Sequence, residues 1–478
     1  MRDAAAASSV LAAPKAAARP VSARTRLLLE GPVFPTLLRL SLPNFLNLFS
    51  IAGLITFDGI FVGRLGTDAL AGVSLVFPFV IAVQHLSASG MGGAVSSAVA
   101  RAIGAGARDR ADAFATHAFA LAIGLAVIAS SVMLTMGPLI YGWMGGRGAM
   151  LEAALTYSTV AFGGAISICM LNILASVVRG TGNMTFPAAA LMGGVLGHVL
   201  LSPMLIFGWG PFPALGIAGA GWGLVISFGI ASVAVFCYLR SDKSLVKLAL
   251  GGVRFRWELF KEFFSVGVPG MMNVAITNLT VVVLTAVTGR LGQDAQLGYA
   301  LGARLEYIII PLAFVFGTAL VAMVGTNWGA RQYQRARRIA WTGGAIAAAA
   351  CGAVGMFCAV FPALWMGLFT EQEEVLRAGT LYLYIVAPVY AAYGFGQALY
   401  FSSQGFGNPL PAVLANVARL VVSAGGGMVA VLWLGAGPVG VFAGIASGFV
   451  LYAVLNAWIL LRTADPAHTH ANGSAIRA

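Results

Sequence analysis

The sequence predicts an all-α polytopic membrane protein of twelve transmembrane helices, arranged as two parallel six-helix repeats. Three observations predict it. Of 478 residues, 59% are hydrophobic and 9% charged, whereas a typical soluble domain carries roughly 25% charged residues. So little charge cannot face water over the two or more domains that a soluble chain of this length would form. Lys and Arg outnumber Asp and Glu by 28 to 16, and they gather on one side of the apolar stretches. Finally, the second half of the chain repeats the first at a nearly constant offset.

Apolar stretches of about 20 residues cross a hydrocarbon core. They fall near 41–63, 70–98, 114–137, 152–178, 184–207, 214–239, 262–289, 296–325, 339–367, 376–403, 410–434 and 438–461. With the amino terminus inside, 22 Lys/Arg fall on the inner side, four on the outer side (Arg64, Arg147, Arg290, Arg377), and Arg304 and Arg419 within spans. This asymmetry predicts a multi-pass protein of the cell inner (plasma) membrane, surrounded by lipid, with both termini cytoplasmic. It also accounts for the net charge of +12 without a nucleic-acid partner. Residues 1–40 are expected to form a mostly disordered cytoplasmic tail, since the Ala- and Arg-rich start lacks the apolar core of a signal peptide. Residues 463–478 form a second tail. Cys169, Cys237, Cys351 and Cys358 lie in apolar spans without CxxC spacing, which predicts buried small hydrophobes and no metal site.

The repeat divides the chain. Pro43 and Asn47 recur as Pro269 and Asn273, and "GRLGTDALAG" at 63 recurs as "GRLGQDAQLG" at 289, all at offset 226. "GAR" at 106 returns at 329, "GTGN" at 180 as "GFGN" at 405, and Gly216 pairs with Gly440. Domain limits follow: a lobe over 41–239, a basic cytoplasmic linker over 240–261, and a lobe over 262–462. Six spans per lobe make the repeats parallel, a transporter architecture whose site lies near mid-membrane.

The chain resembles the multidrug and toxic compound extrusion (MATE) transporters over about 41–462. The resemblance rests on Pro43, the D-x-x-x-V-G-R-L-G run at 58–66, "ARAIGAGARDRADA" at 100–113, "RGTGN" at 179–183 and "YALGARLEYIIIPLAFVFGTAL" at 299–320. It implies a V-shaped pair of lobes exporting organic molecules in exchange for H⁺ or Na⁺, with no other cofactor. Asp58 matches the first-helix aspartate of the DinF-like branch, proposed there to change protonation during transport. That branch often has N-x-x-x-D-P in helix five, where this chain has "HVLLSP", His198 for Asn and Ser202 for Asp. The missing second carboxylate favours H⁺ over Na⁺. The acid that the NorM-like branch places in span 7 is also missing, so the resemblance is closer to the DinF-like branch.

The residues support this independently. Of 16 acids, only Asp58 and Glu306 lie deep inside spans. An ionised carboxylate in hydrocarbon costs at least a few kcal/mol, so such residues usually face a cavity and do ion or proton work. Asp58 lies about 25 Å along span 1, and His198 and Ser202 about 21 and 27 Å along span 5, at 1.5 Å per residue. His198 and Ser202 share a helix face, so all three residues are candidates for an ion-coupling site; a packed interior histidine is the alternative. Glu306 is expected in a structural ion pair with Arg419, or in a second protonation site. Arg304 stands two residues away and on another face.

A substrate cavity is drawn from Phe45, Phe49, Met271, Met272, Asn273, Thr277, Asn278, Tyr299 and Tyr307, since Met and aromatic faces adapt to apolar cations. Helix packing explains these residues equally well, as it does His85 and His117. The chain reads as a monomeric antiporter of small, cationic or amphiphilic organic compounds, not an enzyme. The alternative is a lipid or lipid-linked-sugar flippase, which would require basic residues lining the central cavity.

The topology is tested at the acidic loop "TEQEE". In a cysteine-free background, Gln372→Cys should react with an impermeant thiol reagent from outside intact cells. Labelling only after permeabilisation would refute the predicted orientation.

Overall fold

The computed structural model describes residues 22–45, 56–249, 251, 255–433 and 435–463. Among them, ten helices are long and apolar enough to cross a membrane, and Gly148–Gly163 with Ala165–Gly180 form a further span bent by 44°. The first expected span is described only at its ends, as the helical turns at 42–45 and the helix at 56–63. Each remaining span is found within a few residues of its expected limits.

Two hydrophobic cores divide the described chain. One is built from residues between Val62 and Phe263, the other mainly from residues between Leu284 and Leu460. The basic linker is fastened under the first core: Val246 and Leu248 are buried in it. His117 anchors the linker's far end, with Nδ1 against the Ala113 carbonyl at 2.7 Å and Nε2 accepting the Arg256 N–H at 2.9 Å. Its ring packs on Phe255 and Phe260, so the packing reading of His117 holds.

The expectation of a disordered tail through residue 40 fails from residue 22 onward. Ser22 caps a helix over Ala23–Glu30, and a second helix covers Val33–Ser41. Leu28, Leu37 and Leu40 are buried in the second lobe's core, and the Asn327 side chain donates to the Leu28 carbonyl at 3.0 Å. The composition hid this amphipathic second helix, which buries Thr36, Leu37, Leu40 and Ser41.

The repeat is visible in the backbone. Gly66 and Gly292 both hold φ above 100°, and Gly182 and Gly407 both hold φ near 80°, a region open to glycine because it lacks a Cβ. The turns also correct one alignment. Gly106 shares its positive φ with Arg331, so Gly104 pairs with Gly329, and the two "GAR" triplets are out of register by two residues.

The lobes meet at one end, the end carrying Arg101, Arg110 and Glu262. The outer part of the second span, Thr67–His85, packs on its own lobe, whereas the inner part, Gly92–Gly104, crosses to Glu306–Gly329 and Trp257–Gly289. Between them Leu86–Met91 widens into a π turn, where Ser87 and Ser89 donate to carbonyls four residues back, each at 2.7 Å. Such back-bonding competes with the helical ladder and bends it. Closure depends on two glycines: a Cβ at Gly104 would stand 1.9 Å from the Thr326 carbonyl oxygen, and one at Gly329 2.1 Å from that of Arg101. Glu262 then joins Arg101 at 2.9 Å and Arg110 at 2.6 Å across the lobes.

Glu262→Gln should weaken this seal by about 1–2 kcal/mol, the scale of hydrogen bonds to charged groups. Thiol labelling of a cysteine placed in the sealed interface should rise in the variant. Unchanged labelling would show that backbone packing alone holds the seal.

Candidate functional site

Asp58 sits in the helix at 56–63 and His198 in the helix Thr185–Phe207. Their side chains meet: His198 Nε2 donates to Asp58 Oδ1 at 2.6 Å. Asp58 is 3% exposed and His198 fully buried. Ser202 lies one turn beyond His198, pressed by Gly223, where a Cβ would stand 2.9 Å from Ser202 Cα. Ser202 makes no bond to the acid. Its Oγ and His198 Nδ1 are buried without a hydrogen-bond partner. Orphaned buried polar atoms are rare and usually mark function.

The pair has a simple charge economy. With a neutral imidazole and an ionised carboxylate it carries one net negative charge; one added proton, wherever it resides, neutralises it.

The second lobe holds a different cavity in a related place. Leu284 and Ser423 stand 226 and 225 residues after Asp58 and His198, and both line a small cleft with Thr277, Tyr299, Glu306 and Arg419. Span 8 breaks here: one helix ends at Ala303 and the next starts at Glu306. The carboxylate thus lies in the first turn, where the helix dipole favours it. Tyr382 Oη donates to it at 2.9 Å and is bonded in turn to Tyr390 Oη at 2.9 Å.

Neither arginine forms the expected ion pair with Glu306. Arg304 lies in the exposed turn, over the Phe369 ring at 5.0 Å. Arg419 donates to Asn416 Oδ1 at 2.7 Å and Thr280 Oγ1 at 3.4 Å. It is caged by the rings of Tyr393, Phe449 and Tyr452, each within 6 Å. Aromatic faces and amide oxygens therefore stabilise the cation where a carboxylate was expected.

The eight described cavity candidates do not gather around one cavity. Thr277 and Tyr299 line the second lobe's cleft, and Asn273 accepts from Asn416 at 2.8 Å. Met271 packs where a Cβ on Gly90 would stand, and Phe45 packs edge-on to Phe316. Met272, Asn278 and Tyr307 are exposed, and Phe49 lies outside the described residues. The space between the lobes is instead floored by residues that sequence reasoning missed, among them Ser96, Arg179, Thr318 and Gln404. Arg179 follows the expected limit of the fourth span, where sequence places a basic residue in water, yet it is 6% exposed. Its alignment with Gln404 in the "GTGN"/"GFGN" repeat was the available signal.

Two helical lobes that repeat one another and close at one end, around a cleft and buried charged side chains, have the architecture of a membrane transporter. The chain belongs to the MatE family, whose model matches residues 43–204 and 269–429. It is similar to an FAD transporter of Shewanella oneidensis, 26% identical over 83% of this chain and 87% of that protein. It is also similar to the multidrug export protein MepA of Staphylococcus aureus, 24% identical over 84% and 90%. Among solved structures, a MATE protein crystallised in a bent conformation superposes with a TM-score of 0.86 at 25% identity, covering 93% of this chain and all of that one.

Tyr382→Phe should cost about 1–3 kcal/mol of stability, because it deprives both Glu306 and Tyr390 of a buried partner. Glu306→Gln keeps an acceptor for Tyr382 and should cost less. Thermal unfolding of the two variants checks the order; the reverse order would restore a structural ion pair at Glu306.

Proposed function

We propose that the protein is a secondary antiporter that exports amphiphilic organic compounds in exchange for H⁺, with Asp58 and His198 as the proton site. One observation carries this reading: the fully buried 2.6 Å contact between the only acid deep in the first lobe's spans and an imidazole. The similarity to MepA, a multidrug export protein, supports export.

With the basic loops cytoplasmic, the sealed end faces inward and the pair serves an outward-facing cleft. Proton binding there neutralises the pair and favours the state in which it is buried. Proton release to the cytoplasm restores the charge and the substrate-binding state. Exchange requires only that proton and substrate favour different states. Ser202 is assigned a supporting role, and Glu306 with its tyrosines remains a candidate second protonation site. A lipid or lipid-linked-sugar flippase is the second reading, and the specific observation in its favour is that Arg179 lines the cleft.

Asp58→Asn fixes the site in a form resembling the protonated one. In proteoliposomes with an imposed pH gradient, it should fold normally and lose at least 90% of gradient-driven export, a barrier increase of about 1.4 kcal/mol. His198→Ala should weaken coupling less. Wild-type export driven by an imposed Na⁺ gradient alone would overturn the proton assignment, and unimpaired export by Asp58→Asn would remove Asp58 from it.

A further inference from the structure

The floor of the cleft contains a charge that the coupling mechanism does not use. Arg179 lies on the first lobe at the end of helix Ala165–Gly180, and its Nη2 donates to Ser176 Oγ at 2.7 Å and to the Asn172 carbonyl at 3.4 Å. Among the described residues no carboxylate lies within 4 Å of the guanidinium, and its remaining donors have no protein acceptor. A buried guanidinium without a counter-charge is strongly destabilising. Arg101, by contrast, has Glu262, and Arg419 has its aromatic cage.

The neighbouring groups are poised in the same way. Ser96, 4% exposed, has an Oγ without a partner, and Gln404 is fully buried with Oε1 unpartnered. Gln404 Nε2 is held by Tyr400 Oη at 2.7 Å and the Ser89 carbonyl at 3.4 Å. Arg179 and Gln404 occupy the same place in the two repeats, 225 residues apart, so the repeat brings one from each lobe to the shared floor. Phe314 and Phe401 stand beside them, edge to face at 5.6 Å.

We propose that this floor is an anion-recognition subsite, which takes the acidic group of an aromatic substrate, such as a hydrogen phosphate ester. Arg179 supplies the charge and Ser96 a hydroxyl donor. Gln404 lines the opposite side of the floor, and the two phenylalanines receive the ligand's ring. An arginine matches phosphate oxygens through two parallel N–H bonds. The inference rests on the exporter reading, and it replaces the cationic substrate that the charge-poor spans suggested. The ligand's acid supplies the missing counter-charge, so a cation would worsen the balance at this point.

The test uses purified full-length protein and three probes that share one ring system: 1-naphthyl phosphate, 1-naphthol and 1-naphthylmethylammonium. Thermal shift measures binding, and proteoliposomes measure proton-driven transport. The phosphate should bind at least tenfold more tightly than the other two. Arg179→Gln should erase that preference, Arg179→Lys should retain part of it, and Ser96→Ala should reduce phosphate binding several-fold if the arginine variants fold poorly. Selective binding of the ammonium probe, or equal loss for all three probes in the variants, overturns the subsite. Binding of the phosphate without gradient-driven transport of any probe sinks the exporter reading and leaves the subsite standing. A fluorescent phosphatidic acid, compared with the phosphatidylcholine analogue, distinguishes a lipid source of the acid. Its translocation, if sensitive to Arg179→Gln, supports the subsite and moves the flippase reading ahead.

Discussion

Hydrocarbon does not tolerate an uncompensated charge, and the interior arrangement of this protein follows from that constraint. Three ionisable groups deep inside the spans each have a device that answers for them. Asp58 has an imidazole at 2.6 Å. Glu306 has a helix start and a pair of tyrosines. Arg419 has an amide and three rings. These devices differ in what a proton does to them. The Asp58 pair changes net charge when it binds one, whereas the cage around Arg419 contains nothing that titrates easily.

The two lobes share their turns and divide their chemistry. The places that hold acid and imidazole in the first lobe hold Leu284 and Ser423 in the second. The carboxylate of the second lobe enters from a different helix, at a break that the first lobe lacks. Coupling and substrate recognition therefore need not lie on the pseudo-twofold axis. The floor of the cleft is lined from both lobes, by Arg179 and Gln404 at equivalent places in the two repeats.

Much of the fold was legible because burial in lipid writes itself into composition: long apolar runs, basic loops and a constant offset all come from the same few physical rules. The meeting of Asp58 with His198 was legible too, since depth along a helix is arithmetic. What escaped had no periodic signal. The docking of Ala23–Glu30 and Val33–Ser41 depends on a groove made by distant helices. Arg179 sits at a helix end, where sequence assigns it to solvent, but its long side chain turns back toward Ser176. The pairing of Glu306 with an arginine was inferred from scarcity of charge. The protein instead used phenols and ring faces, which sequence reading counts as packing.

The positive φ shared by Gly106 and Arg331 has a historical meaning. Arginine at such a torsion costs about 1–2 kcal/mol relative to glycine, yet the turn has kept its shape. In a chain made by duplication, the hinge geometry is then the inherited part, and the side chains around it are free to diverge. One copy came to hold an acid against an imidazole and the other a cage for a fixed charge, while both still close on the same pair of glycines.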